Sequence, residues 1–187
     1  MKVIETELPD ILVLEPRVFS DARGYFLETY SAERYRNAGL PDDFVQDNIS
    51  FSSKGTLRGL HYQHPHGQAK LVQVLEGSVF DVAVDIRPDS PTFGRWHAVT
   101  LTAEKHNQMY IPTGFAHGFY VLSETALFSY KCSDYYVPET EGGIAWDDPD
   151  IGIRWPLSGE PTISEKDMKL GRLADLPAEK LPRMEDR

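Results

Sequence analysis

The feature that most constrains this chain is a run of strict alternation, FDVAVDIR, from Phe80 to Arg87. Phe80, Val82, Val84 and Ile86 share one face of an extended segment, and Asp81, Ala83, Asp85 and Arg87 share the other. A helix would scatter those apolar residues around its circumference. Comparable short segments recur: ILVLEPRVF (11–19), YFLETY (25–30), FVQDNISFS (44–52), LRGLHYQ (57–63), WHAVTL (96–101) and NQMYIP (107–112). KLVQVL (70–75) leads through Glu76-Gly77-Ser78 into the alternating run, and HGFYVL (117–122) leads through Ser123-Glu124-Thr125 into ALFSYK (126–131). Short links between extended runs predict a hairpin at each place. Helix signals are few. Residues 31–38 have Ser31 as N-cap and Gly39 as stop, and Ser164-Glu165-Lys166-Asp167 has the form of a capping box. Many short strands with few helices predict an all-β sandwich or barrel with short peripheral helices. The length of 187 residues fits one domain, 1–187, with a charged, proline-punctuated tail from about 158 covering the sheet core.

Composition narrows the function classes. Lys and Arg number 19 against 29 Asp and Glu, so 19 − 29 gives −10. Such a chain is a poor general ligand for nucleic acid, because phosphate-backbone binding needs a Lys/Arg excess. Cys132 is the one cysteine, which excludes an intrachain disulfide and any multi-cysteine metal site. The N-terminal residues hold no long apolar core, and no apolar run approaches 18 residues. The expectation is a cytoplasmic protein with no membrane partner.

Five histidines, His61, His64, His66, His106 and His117, fall in or beside predicted turns and strand ends. His64-Pro65-His66 invites a metal reading, but Lys70 and Leu71 stand where a carboxylate ligand would follow. A second metal-type pattern, P-x-G-x-x-H, is met at Pro112 to His117, with His106 and Val121 in place of its flanking Gly and Asn. The ligand inventory argues for a cupin-type fold without metal. His61 fits either a base near neutrality or an interior strand histidine. Ideal alternation places Arg58 and His61 on opposite faces, unless Gly59 marks a bulge that resets the register. Tyr130 shares a face with Ala126 and Phe128 and reads as core filler or as an acid. Asp167 alone reads as the third helical residue of a capping box, and Arg23, in Asp21-Ala22-Arg23-Gly24, as a turn cation.

Several longer motifs occur in order: EPRVFSDARGYFLETY (15–30), FVQDNISFSSKGTLRGLHYQ (44–63), KLVQVLEGSVFDVAVDIRPDSPTFGRW (70–96), YIPTGFAHGFYVLS (110–123), YKCSDYYVPETEGGIAWDDPDIGIRWP (130–156) and ISEKD (163–167). With them the chain resembles the dTDP-4-dehydrorhamnose 3,5-epimerases from about residue 2 to 170. The resemblance implies a metal-free, cofactor-independent, cupin-like jelly roll that forms a homodimer. It implies epimerisation of dTDP-4-keto-6-deoxy-D-glucose at C3 and C5 to dTDP-4-keto-L-rhamnose, within dTDP-rhamnose and cell-envelope polysaccharide biosynthesis. By resemblance, His61 is the general base paired with Asp167, Tyr130 is the acid on the other sugar face, and Lys70 sits near the C4 oxygen. Arg23, Phe26, Glu28, Gln46, Asp47, Asn48, Arg58, His117, Tyr136, Glu141 and Lys166 match substrate-binding positions. The resemblance also implies an N-terminal segment that reaches the partner's site, which makes Arg23 and Glu28 candidates to act across the dimer. His64 to Gly67 carry no family signature. A mono-epimerase, a sugar-nucleotide ketoisomerase, a non-catalytic sugar-binding cupin and a metal cupin are the competing classes. Because the ligand is anionic and the chain acidic, Arg23, Arg58, Lys70 and Lys166 are expected to converge on one pocket.

Overall fold

The computed structural model describes residues 1–40 and 43–186. In chain order the strands are β1 (Lys2–Glu5), β2 (Leu12–Glu15), β3 (Val18–Asp21), β4 (Gly24–Leu27), β5 (Gln46–Ser53), β6 (Leu57–Gln63), β7 (Lys70–Glu76), β8 (Ser78–Asp85), β9 (Trp96–Thr102), β10 (Gln108–Ile111), β11 (Phe115–Val121), β12 (Thr125–Cys132) and β13 (Glu141–Gly143), with α1 (Ala32–Asn37) between β4 and β5. A six-stranded sheet runs β1-β2-β10-β7-β12-β5, a five-stranded sheet runs β13-β6-β11-β8-β9, and β3 and β4 form a separate ribbon. The fold is a cupin-like jelly roll. Among the described residues no helix is long and apolar enough to cross a membrane.

The two larger sheets face each other across the main core. Val72, Val74, Met109, Ile111, Ala126 and Phe128 come from one sheet, and Val79, Ala83, Leu101, Phe115, Phe119 and Val121 from the other. The alternation that opened the sequence is explained by β8 having two buried faces. Val79 and Ala83 turn into the main core, while Val82 and Val84, followed by Ile86, turn outward. There Ile144, Ile151, Leu173 and Leu181 cover them, so the covering segment begins before residue 158. On the outside of the other sheet, Tyr35 of α1 and Leu40 pack on Leu14, Leu71 and Tyr110.

Neither expected hairpin exists. β7 pairs with β10 and β12, while β8 pairs with β11 and β9 in the other sheet. β11 and β12 likewise belong to different sheets. At Gly77 the chain turns the corner of the sandwich with φ +80°, and a Cβ there would lie 2.1 Å from Thr125 O. Ser123 ties the two corners together, since its Oγ accepts from Ser78 N (2.8 Å) and donates to Thr125 O (2.6 Å). A short glycine link suits either a hairpin or a sheet-switching corner, and period-two patterning names faces rather than partners. ILVLEPRVF also splits, into β2 and β3, at Pro16, which has no N–H for a ladder. Ser31 precedes α1 without a side-chain cap, and Gly39 follows it at φ +100° as the expected stop.

Candidate active site

The centre of the site is built on β6, which lies between β13 and β11. His61 sits mid-strand, opposite His117 of β11 and Gly143 of β13. Both histidines therefore lie within strands and not at their ends. Between His117 and Phe119, two steps on β11 are matched by three on β6, from His61 back to Arg58. This is the bulge that the Arg58/His61 register problem requires. Gly59 is at φ +105°, and a Cβ would meet Gly118 Cα and His117 O at 2.6 Å, so no side chain fits. The extra residue turns Arg58 and His61 toward one cavity.

Asp167 arrives from the tail. Thr162 bridges Thr56 in parallel, with Leu57 N donating to Thr162 O (3.0 Å) and Thr162 N to Gly55 O (2.9 Å). Ser164 Oγ then accepts from Asp167 N (3.1 Å), which is half of the expected capping box. The Asp167 carboxylate does not complete it. Oδ1 lies 2.7 Å from His61 Nε2, and Oδ2 accepts from Gly59 N (3.2 Å). Burial of Asp167 opposes ionisation, but His61, Gly59 and Ser164 outweigh it and hold the carboxyl below the usual carboxylate range.

Around this pair lie Lys70, Tyr130 and His117. Lys70 opens β7, opposite Cys132 on β12 and Ile111 on β10. Burial pushes its ammonium pKa down, against the pull of Cys132, Asp81 and Glu141. Tyr130 faces inward with Ala126 and Phe128, and its ring lies 5.9 Å from that of Phe128. Burial raises the Tyr130 pKa and Cys132 adds to this, while Arg58 opposes it. His117 is buried with Nε2 3.0 Å from both carboxylate oxygens of Asp81. Burial drives both members of that pair toward neutrality, lowering His117 and raising Asp81.

The outer wall is β5, whose amphipathy is inverted. Gln46, Asn48, Ser50 and Ser52 turn inward, while Asp47, Ile49, Phe51 and Ser53 turn out. Arg58 reaches this wall, with Nε donating to Ser52 Oγ (3.0 Å) and Nη2 to Phe51 O (3.3 Å). Tyr136 N donates to Gln46 Oε1 (3.1 Å), and the Tyr136 hydroxyl donates to Glu141 Oε2 (2.8 Å). Lys166 forms an ion pair with the same Glu141 oxygen. Burial works against the Glu141 carboxylate, but Lys166 and Tyr136 keep its pKa below the usual range.

These residues line two adjoining cavities that share His61, Lys70 and Tyr130. One, of about 500 Å³, also takes in Arg58, His117, Lys166 and Asp167, and the other, of about 280 Å³, takes in Gln46, Asn48, Tyr136 and Glu141. Four expected residues stand apart. Asp47 turns outward to Lys131 (2.8 Å), because alternation forbids it to share a face with Gln46 and Asn48. Arg23, at the β3–β4 turn, pairs with Asp21 at 2.6 Å, and Phe26 is 70% exposed. Glu28 pairs with Arg34. The expected convergence of four cations thus holds within this chain for Arg58, Lys70 and Lys166 and fails for Arg23. Sequence reasoning also missed Asp81, Phe119, Ser50 and Ser52 as neighbours of the site. Ser50 and Ser52 were legible from their register with Gln46 and Asn48.

The chain matches a family model described as dTDP-4-dehydrorhamnose 3,5-epimerase over residues 5–175. The protein of that name from Pseudomonas aeruginosa is 52% identical over 176 residues, covering 94% of this chain and 97% of that one. The one from Neisseria gonorrhoeae is 54% identical over 168 residues, covering 90% of this chain and 51% of that longer protein. Among solved structures, the dTDP-6-deoxy-D-glucose-3,5-epimerase of Legionella pneumophila, in complex with dTDP-4-keto-L-rhamnose, superposes with a TM-score of 0.96 at 52% identity, covering 97% of each chain.

Proposed function

The chain belongs to the dTDP-4-dehydrorhamnose 3,5-epimerase family and is an epimerase of the rhamnose pathway, and on that premise we propose how its residues carry the reaction. The substrate is dTDP-4-keto-6-deoxy-D-glucose and the product dTDP-4-keto-L-rhamnose. The observation that carries this reading is the 2.7 Å contact of His61 Nε2 with Asp167, on a cavity shared with Lys70 and Tyr130.

A C–H beside a C4 ketone is acidic because its carbanion is an enolate. Removing that proton needs a base at the carbon, a donor at the ketone oxygen and an acid on the opposite face of the ring. Asp167 occupies His61 Nε2, so Nδ1 is the nitrogen left to take the proton. The carboxylate stabilises the imidazolium that forms, as an aspartate does behind a triad histidine. Lys70 donates to the enolate oxygen and stabilises the charge that develops there. Tyr130 delivers a proton from the other side, its pKa held high enough to keep the phenol protonated near neutrality. The His61 imidazolium then gives its proton to solvent and the Tyr130 phenolate takes one back, and the cycle repeats at the second carbon, so that C3 and C5 are both inverted.

Gln46, Asn48, Tyr136, Glu141 and Lys166 hold the nucleotide, and Arg58 with His117 holds its diphosphate. Arg23, Phe26 and Glu28 complete the site of a second copy in a homodimer. Support for this comes from the exposure of Phe26 and from the outward apolar residues Ile49 (64%) and Phe51 (59%) on an edge strand. The working compartment is the cytoplasm. The test is incubation with substrate in D2O followed by NMR. Deuterium at both C3 and C5 is expected, label at one carbon makes the enzyme a mono-epimerase, and no label removes the reading.

A further inference from the structure

Among the described residues, two buried side-chain polar atoms have no hydrogen-bond partner, Ser50 Oγ and Arg87 Nη1. Arg87 Nη1 lies 3.6 Å from Asp10 Oδ2, in an ion pair remote from the cavities. Ser50 has no such neighbour and lines the larger cavity. A buried hydroxyl without a partner costs about 1–3 kcal/mol, so its presence on the cavity wall calls for an explanation.

The surroundings supply one. Directly across the ladder from Ser50 is Phe128, whose ring stacks on Phe119 at 4.3 Å and offers nothing to bond. The next inward position on β5, Ser52, is taken by Arg58 Nε, and Phe51 O accepts from Arg58 Nη2. Arg58 is thus pinned against β5 within two residues of Ser50, with two of its five N–H groups used there. Its remaining donors and the Ser50 hydroxyl border one cavity. A guanidinium and a hydroxyl on the wall of one cavity match an anionic oxygen that accepts from both. Toward the other end of β5 the pairing partners are uncharged or catalytic, Tyr130 facing Asn48 and Cys132 facing Gln46.

We propose that Ser50 is a substrate-binding residue whose hydroxyl donates to an oxygen of the nucleotide diphosphate that Arg58 also holds. This rests on the reading of the ligand as a nucleoside diphosphate sugar. It explains why an inward position of a core-facing strand carries a hydroxyl.

Ser50→Ala tests it. The variant loses an unpartnered group, so its Tm is expected to equal or exceed that of the wild type, which separates binding from folding. Titration calorimetry with dTDP is expected to show about tenfold weaker binding, the low end for a hydrogen bond to a charged acceptor. KM is expected to rise by the same factor with kcat within about twofold. Thymidine, which has no phosphate, is expected to bind both proteins equally by saturation-transfer NMR. Combined with Arg58→Ala, the loss is expected to be less than the product of the two single losses, because both groups hold one oxygen. A dTDP affinity within twofold of wild type, an equal loss for thymidine, or independent losses for Ser50 and Arg58 would each overturn the assignment. If wild-type protein bound no dTDP and exchanged no deuterium, the proposed function would fail instead, and Ser50 would not be the reason.

Discussion

Asp167→Asn separates orientation of the base from mere packing behind it. Two neighbours of the Asp167 carboxylate, Gly59 and His61, make different demands on it. Gly59 N–H must have an acceptor, and it has Oδ2 at 3.2 Å. His61 Nε2 lies at 2.7 Å from Oδ1 and accepts or donates according to its tautomer. An asparagine in the same pose keeps its carbonyl oxygen on Gly59, because turning the amide would set NH2 against N–H. Its NH2 then faces His61, which must accept at Nε2 and carry its proton on Nδ1. That is the nitrogen assigned to abstract the substrate proton. Losing only the charge-assisted bond would remove up to about 3 kcal/mol, roughly a hundredfold in rate. Inverting the tautomer as well brings the expected loss in kcat to about 10⁴, the scale measured when the aspartate of a serine-protease triad is replaced by asparagine. Asp167→Ala leaves the tautomer free and is expected to lose less in kcat, while destabilising the fold by about 1–3 kcal/mol through the orphaned Gly59 N–H. Asparagine should therefore be the better-folded and slower variant. The assay is the initial rate of deuterium incorporation, with ¹⁵N NMR reporting the His61 tautomer. An asparagine enzyme within tenfold of wild type, or faster than the alanine enzyme, refutes the argument.

Other outcomes follow from the same geometry. Lys70→Met is expected to lower kcat by roughly 10²–10³, the loss typical of one oxyanion donor, yet to raise Tm at pH 7. Because the folded pKa of Lys70 is depressed, the cost of its charge is full below that pKa and fades as pH rises toward the ordinary 10.5, so the Tm advantage of Met should shrink in alkali. Asp167 behaves oppositely: its folded pKa lies below the ordinary 3.8, so its stabilisation is present above that value and vanishes as pH falls through the folded one. Acid melts of wild type and Asp167→Asn should converge in that window. Mixed dimers of Arg23→Ala with His61→Ala are expected to regain activity, since one site then has both residues; no recovery would place Arg23's action within its own chain. Tyr130→Phe is expected to slow product formation more than wash-in of deuterium, and equal losses would remove it as the acid.

How much of this was legible in the sequence depended on whether the determining contact was local. The alternation over 80–87 marked β8, and both of its faces proved buried, one by the opposite sheet and one by the tail. The corner at Gly77 was misread because the residues that choose between hairpin and crossover, Ser123 and Thr125, lie some 46 residues away. The Arg58/His61 conflict was visible as a conflict, and Gly59 as its site, but only the close approach of Gly118 makes glycine obligatory. Asp167 shows the limit most clearly. Its local pattern named a cap, and Ser164 does cap its N–H, yet its carboxylate belongs to a strand 106 residues earlier.

That separation also orders events during synthesis. Every member of the main core, from Leu8 to Phe128, has been made before residue 167 is added. A chain emerging N-terminus first can close its sandwich around Lys70, Tyr130 and His61 while the partner of His61 is still inside the ribosome. Such a nascent chain holds His61 in its strand before Asp167 can reach the ring nitrogen. A chain that stopped at Gly159 would lose both the 2.7 Å contact of Asp167 with His61 and the cover of Leu173 and Leu181 over Val82 and Val84.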